Sequence, residues 1–296
     1  MSADKPSWRA LGQAWPHHEN SRFVEAGGMS WHVQTMGDRA QPTVFLVHGS
    51  GASTHSWRDV MPLLADRFHV VAADLPGHAF SETPAVYRPT LPRVSQLVSD
   101  LVDVLELDVA FAIGHSAGSA ILARMILDGR IQPRGFVSIN GAFKPFPGAA
   151  GHIFPAIAKA LFLNPLTPRL FAFSGREKSR VERLLDGTGS KLSEEGLDYY
   201  HTLMMSPGHI SGVLGMMANW DLNPLVARIR SLDTPTLLLT SSKDTTIPPS
   251  VSKDLAGLMP NARYLDIPDF GHLVHEEEPK MVTGHLFEFA DEVGLA

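Results

Sequence analysis

Residues 110–127 read AFAIGHSAGSAILARMIL. The run AFAIGH is short, apolar and β-prone, and the residues after it keep helical spacing, so a strand passes directly into a helix at Gly114-His115-Ser116-Ala117-Gly118. A G-x-S-x-G sequence in that context predicts a sharp, strained turn that exposes the Ser116 hydroxyl. The flanking glycines let neighbouring backbones come close to it. Ser116 is therefore the candidate nucleophile.

Working outward, SRFVEA (21–26) and MSWHVQTM (29–36) flank Gly27-Gly28 and predict a hairpin. Apolar β-rich runs follow at 43–48, 69–74, 110–115 and 136–140, then at 235–242 and 263–267. Between them lie helix-period stretches. The clearest is 91–105, where Leu91, Val94, Leu97, Val98, Leu101, Val102 and Leu105 fall on one face. Continuous apolar strands alternating with amphipathic helices indicate a parallel sheet covered on both faces.

The alternation stops between Phe143 and Asn223, where Pro, Phe and Met accumulate and no strand-like run appears. The expected organisation is one α/β core formed by residues 1–142 and 224–296, interrupted by a helical cap at 143–223. Most of Ile153, Ile157, Leu161, Leu203, Met216 and Met217 should form the cap's own core. Its inner face is expected to be apolar and to contribute to a substrate pocket with Phe143, Phe154, Met204, Met216 and Met217, joined from the core by Gly49, His115 and Leu273.

A serine hydroxyl is a weak nucleophile at neutral pH and needs a base, which in turn needs an acid to fix its tautomer. Asp244 follows the strand TLLLTSS and His272 follows the last strand, in Phe270-Gly271-His272. The order Ser116, Asp244, His272 differs from the orders found in chymotrypsin and subtilisin. Acyl transfer also needs N–H donors for the developing oxyanion. The expected pair is Ala117 N–H and Ser50 N–H, the latter in the small-residue loop His48-Gly49-Ser50-Gly51.

Other polar residues have weaker claims. A phosphate cradle is disfavoured because G-x-G-x-x-G is absent and no Lys-Ser/Thr follows the glycines. His17-His18 and the pair His272 and His275 lack a metal-site pattern, so neither metal nor cofactor is expected. His48, His78 and His115 are expected to bond loop backbone. Asp74 is a runner-up acid, and Asp103 and Asp108 belong to an exposed helix face or its end. Glu276-Glu277-Glu278 reads as an acidic helix start favoured by the macrodipole.

Composition narrows the classes. The 296 residues carry 25 Lys+Arg and 31 Asp+Glu, a formal charge of −6, with no basic run to meet nucleic acid. Zero cysteines exclude disulfides, thiolate nucleophiles and thiolate metal sites. No stretch reaches the ~18 apolar residues of a membrane span, and no signal-like apolar run opens the chain, so a cytoplasmic location is expected, peripheral membrane contact aside.

With these motifs in view, the chain resembles the α/β-hydrolase superfamily from about residue 21 to its end. That resemblance implies a mostly parallel eight-stranded sheet with the cap inserted after strand 6. Haloalkane dehalogenases and epoxide hydrolases of that superfamily place Asp where this chain has Ser116. More narrowly, HGSGASTHSWRDVMPLL, DLPGHAFS, GHSAGSAILARMILDG, LFLNPLTPRLFAF, RLLDGTGS, GMMANWDLNPL and GHLVHEEEP resemble the magnesium-chelatase accessory proteins of bacteriochlorophyll biosynthesis, the BchO family. Ala79 departs from the Gly that commonly follows DLPGH. The resemblance implies a role near magnesium insertion into protoporphyrin. Two functions are then open: a serine hydrolase for an ester or related acyl bond of a bulky apolar substrate such as a tetrapyrrole, or a porphyrin-binding accessory associated with magnesium chelatase. A cofactor-free haloperoxidase or a C–C bond hydrolase would carry nearly the same triad.

Overall fold

The computed structural model describes residues 5–144, 157, 159–161 and 163–295. Eight strands form one sheet: β1 Ser21–Ala26, β2 Met29–Met36, β3 Thr43–Val47, β4 His69–Ala73, β5 Val109–His115, β6 Gly135–Ile139, β7 Thr236–Ser241 and β8 Ala262–Ile267. Their spatial order is β1-β2-β4-β3-β5-β6-β7-β8. The pairs β1/β2 and β2/β4 are antiparallel and all the others parallel. The hairpin between β1 and β2 turns through Gly27 and Gly28, at φ 61° and 80°. A two-residue hairpin turn with both central residues at positive φ needs that freedom.

β3, β4, β6 and β7 are buried along their whole lengths, as expected of strands covered on both faces. On one face the helices Leu91–Val104 and Ala117–Leu127 bring Leu97, Leu101, Ile121 and Leu122 against Phe45, Val71 and Phe136. On the other, Val60–Ala65 and Pro279–Glu292 bring Met61, Leu64, Leu286 and Phe289 against Leu46, Val70, Ile113 and Leu237. Each such side chain contributes roughly 1.5–3 kcal/mol on burial. A closing helix beginning near Glu276 is broken in two, Val274–Glu277 and Pro279–Glu292, because Pro279 has no N–H with which to continue the first.

Among the described residues no strand lies between β6 and β7. The chain there forms the helices Thr167–Ser174, Lys178–Asp186, Glu194–Met204 and Pro207–Asn219. None of the described helices is long and apolar enough to cross a membrane. Because β3 lies between β4 and β5, the loop after β3 is brought beside the turn after β5. The segments after β5, β6, β7 and β8 leave the same edge of the sheet, the carboxyl edge where open α/β sheets bind ligands.

Candidate active site

Ser116 sits between β5 and the helix Ala117–Leu127 at φ 48°, ψ −114°. A non-glycine residue there carries about 1–3 kcal/mol of strain, so its surroundings must enforce it. They do so through hydrogen bonds from Ser116 N–H to the Ile139 carbonyl (2.9 Å) and from Ala142 N–H to the Ser116 carbonyl (3.0 Å). A Cβ on Gly118 would collide with the Val47 carbonyl, so glycine is what lets the helix start rest on β3. A Cβ on Gly49 would lie 3.0 Å from Ser116 Cβ, which puts the loop His48–Gly51 directly against the nucleophile turn. Ala117 opens its helix, and the first helical N–H groups have no intrahelical acceptor. Ser50 is exposed next to the buried Gly49.

Asp244 and His272 are brought together as a buried pair, with His272 Nδ1 2.7 Å from Asp244 Oδ2. The other carboxylate oxygen accepts from the N–H groups of Thr246 (2.7 Å) and Ile247 (2.8 Å). With Nδ1 donating to the carboxylate, His272 presents the lone pair of Nε2.

Several residues, most of them outside any motif, hold this histidine in place. Asn140, at φ 46° just after β6, donates from Nδ2 to the His272 carbonyl (2.9 Å) and to Ser241 Oγ (2.7 Å) while its Oδ1 accepts from Ser241 N–H (3.0 Å). His115 Nε2 donates to the same His272 carbonyl (2.9 Å). Ser190 Oγ accepts from Leu273 N–H (2.8 Å), and the Thr188 carbonyl accepts from His272 N–H (3.2 Å), so the turn DGTGS between two helices is part of the histidine's support. An Asn-Gly dipeptide at a strand end was the one available hint for Asn140.

The acidic run after His272 starts a helix as expected, but its first member is not solvated. Glu276 is buried and its carboxylate accepts three hydrogen bonds: it pairs with Arg58 Nη1 (2.7 Å) and accepts from Ser56 Oγ (2.6 Å) and Tyr200 OH (2.6 Å). Burial pushes its carboxyl above the ordinary range, with Arg58, Ser56 and Tyr200 opposing. Ser56 gives its proton to Glu276, so His275 Nε2 donates to Ser56 Oγ (2.8 Å). Burial, and then the nearby His272 and Arg58, hold His275 down to about 3. Glu277 accepts from Gly271 N–H (3.0 Å) and Lys191 N–H (2.8 Å), clamping the histidine loop to the segment between β6 and β7. Glu276 and Glu277 do stand in the first turn of the helix Val274–Glu277, and Glu278 is the exposed N-cap of the next helix, but the buried Glu276 is held chiefly by partners remote in sequence rather than by the helix alone.

Asp74 is also absorbed structurally. Its carboxylate lies 2.8 Å from His32 Nδ1 and accepts from Thr54 N–H (2.8 Å) and Phe80 N–H (3.2 Å). Burial would raise its pKa, but His32, His48 and the Thr54 N–H bring it down to about 2. His48 Nε2 accepts from Leu75 N–H (2.9 Å), so its Nδ1 donates to the Gly49 carbonyl (2.7 Å). His209, on the helix Pro207–Asn219, accepts from Ala79 N–H (3.0 Å) at Nδ1 and therefore donates from Nε2 to the Gly51 carbonyl (3.2 Å). Ala79 stands at φ 37°, a conformation in which glycine would be unstrained. His78 donates to the Pro76 carbonyl (3.2 Å) and packs edge-on against His209. His17 bonds the Arg58 carbonyl (2.7 Å) and His18 pairs with Glu19.

A family model described as the alpha/beta hydrolase fold matches residues 42–279. The chain belongs to the α/β-hydrolase fold family. This α/β hydrolase is 36% identical over 283 residues to the magnesium-chelatase 30 kDa subunit of Rhodobacter capsulatus, spanning 96% of this chain and 99% of that one. It is 25% identical over 279 residues to the uncharacterized hydrolase YugF of Bacillus subtilis (strain 168), spanning 90% and 97%. A crystal structure of a hydrolase from Pseudomonas aeruginosa PA01 superposes with a TM-score of 0.74 at 21% identity, covering 91% of this chain and 98% of that one.

The apolar residues expected around the α/β hydrolase's pocket fall into different places. Leu273 packs with Ala52, Val181, Leu197 and Tyr200, and Met204 lies half-buried between that cluster and the one containing Ala172, Ile210 and Leu214. Phe143 and Met216 are buried in the main core, Met217 is exposed, and Phe154 lies outside the described residues. Ile157 is exposed rather than internal, Leu203 is buried and Leu161 half-buried, while Ile153 lies outside the described residues. Two open concavities of about 730 and 500 Å³ are lined by such residues as Arg134, Thr236 and Arg263, or Thr43, His69 and Leu107. They lie at the amino edge of the sheet and contain neither Ser116 nor His272.

Proposed function

We propose that this α/β hydrolase is a serine hydrolase that cleaves an ester or related acyl bond of a bulky apolar substrate, with Ser116, His272 and Asp244 as its triad. The observation that carries the reading is the strained Ser116 turn, since a protein that only binds gains nothing from about 1–3 kcal/mol of backbone strain. In this reading Ser116 Oγ attacks the acyl carbonyl while His272 Nε2 takes its proton. Asp244 stabilises the resulting imidazolium. Ala117 N–H and Ser50 N–H receive the oxyanion, the alcohol leaves with the proton returned by His272, and water activated by the same base releases the acyl group. Residues 143–223 act as a cap over this site, and its apolar clusters favour aryl and long-chain acyl groups over acetyl.

The test is incubation with an activated fluorophosphonate, read by intact mass. One adduct is expected on the wild type and none on Ser116→Ala; an unlabelled wild type, or equal labelling of the variant, would overturn the assignment.

The likeness to a magnesium-chelatase subunit supports a second reading, an accessory protein that binds a porphyrin and associates with magnesium chelatase. It predicts quenching of Trp fluorescence at micromolar porphyrin, undiminished in Ser116→Ala. Absence of quenching in both proteins rules out direct tetrapyrrole binding. The same likeness makes a tetrapyrrole ester the first substrate to try for the hydrolytic reading.

A further inference from the structure

The helix Thr167–Ser174 is turned inside out relative to an ordinary surface helix. Its buried residues are small, Thr167, Pro168 and Ala172, and Ala172 packs with Ile210 and Leu214. Its large apolar residues face outward: Leu166 is 57% exposed, Leu170 64% and Phe173 68%. These follow one another at helical spacing, i, i+4, i+7, and Leu163, 69% exposed in the preceding turn, extends the stripe. A surface helix normally places polar residues on that side, and contiguous exposed apolar surface marks an interaction site.

Charge identifies the kind of partner. From Lys144 to Arg176 the sequence contains four basic residues and no Asp or Glu, within a chain whose net charge is −6. Lys159, Arg169 and Arg176 are exposed beside or within the stripe, and the Arg176 guanidinium lies 5.2 Å from the centre of the Phe173 ring. Apolar side chains at the centre with basic ones around them fit the boundary between acyl chains and anionic headgroups. A second copy of the chain fits poorly, since a two-fold contact would bring the same cationic rim against itself.

We propose that this stripe is a docking surface for an anionic lipid bilayer, on which the helix lies without crossing. Leu163, Leu166, Leu170 and Phe173 enter the boundary layer while Lys159, Arg169 and Arg176 meet the headgroups. The proposal is independent of the chemistry at Ser116, because binding is read without turnover.

The test is flotation of the full chain with vesicles of phosphatidylcholine alone or with about one-third phosphatidylglycerol, at low and high salt. Binding to the anionic vesicles is expected to exceed that to the neutral ones by about tenfold, and to weaken with salt. The double variant Leu170→Asp/Phe173→Asp should lose about tenfold or more, and Arg176→Ala about fivefold. Both replace exposed residues, and a thermal transition like that of the wild type shows that each is folded. No binding to anionic vesicles, or equal binding by the folded double variant, overturns the proposal. So does a wild-type dimer that Leu170→Asp/Phe173→Asp converts to monomer without any lipid effect, which would assign the stripe to self-association.

Discussion

Asp244 uses one carboxylate oxygen for the Thr246 and Ile247 N–H groups and the other for His272 Nδ1. An asparagine there must keep its carbonyl oxygen on the two backbone donors, which leaves its NH2 facing Nδ1. His272 would then be forced to carry its proton on Nε2, the wrong tautomer for the base proposed to act on Ser116. Asp244→Asn is therefore expected to slow fluorophosphonate labelling by about 10³–10⁴-fold with little change in thermal midpoint, measured side by side on the two proteins. A Ser–His–Asp grouping is not enough by itself to make such a site. Ser21 Oγ, His32 and Asp74 are also linked, at 3.1 and 2.8 Å, yet Ser21 lies on an edge strand in ordinary extended backbone. Of the two serines, Ser116 alone joins a positive-φ turn to the start of a helix and to the Gly49 loop.

Among the helices between β6 and β7, two are hydrogen-bonded to the core through buried side chains. Tyr200, on Glu194–Met204, reaches Glu276 at 2.6 Å; His209, on Pro207–Asn219, bridges Ala79 and Gly51. Tyr200→Phe removes one hydrogen bond to a carboxylate that retains Arg58 and Ser56, and is expected to cost about 1–3 kcal/mol in denaturant unfolding. Glu276→Ala leaves the Arg58 charge buried without its partner and should cost more, about 3–5 kcal/mol. A smaller effect of Glu276→Ala than of Tyr200→Phe would show that Arg58 finds another acceptor. Neither Glu276 nor His209 could be assigned these roles from the sequence, because Glu276 meets Ser56 across 220 positions and His209 meets Ala79 across 130. The strands were legible for the opposite reason: a run such as TVFLV carries its β preference and its two-sided burial within five residues.

Across the whole molecule, His48, His55, His78, His115, His209 and His275 are buried and all have pKa values pushed down, with burial as the main cause. In the unfolded chain such residues bind protons below about pH 6.5. The folded protein binds fewer, so stability is full above that pH and is lost as pH falls, through about 4 for His209 and about 3 for His275. Thermal scans across this window should show a midpoint that declines on acidification, with His209→Gln reducing the slope by up to about 1.4 kcal/mol per pH unit. A midpoint unchanged down to pH 4 would show that these histidines are protonated in the folded state. The sequence by itself determined the α/β alternation and the turn at Ser116, because periodicity and a five-residue motif act through neighbours in the chain. The tertiary structure alone decided that Asp244 rather than Asp74 meets His272, that Glu276 is buried, and that Leu170 and Phe173 face outward. Each of these depends on desolvation and on contacts between remote segments, quantities that no local pattern encodes.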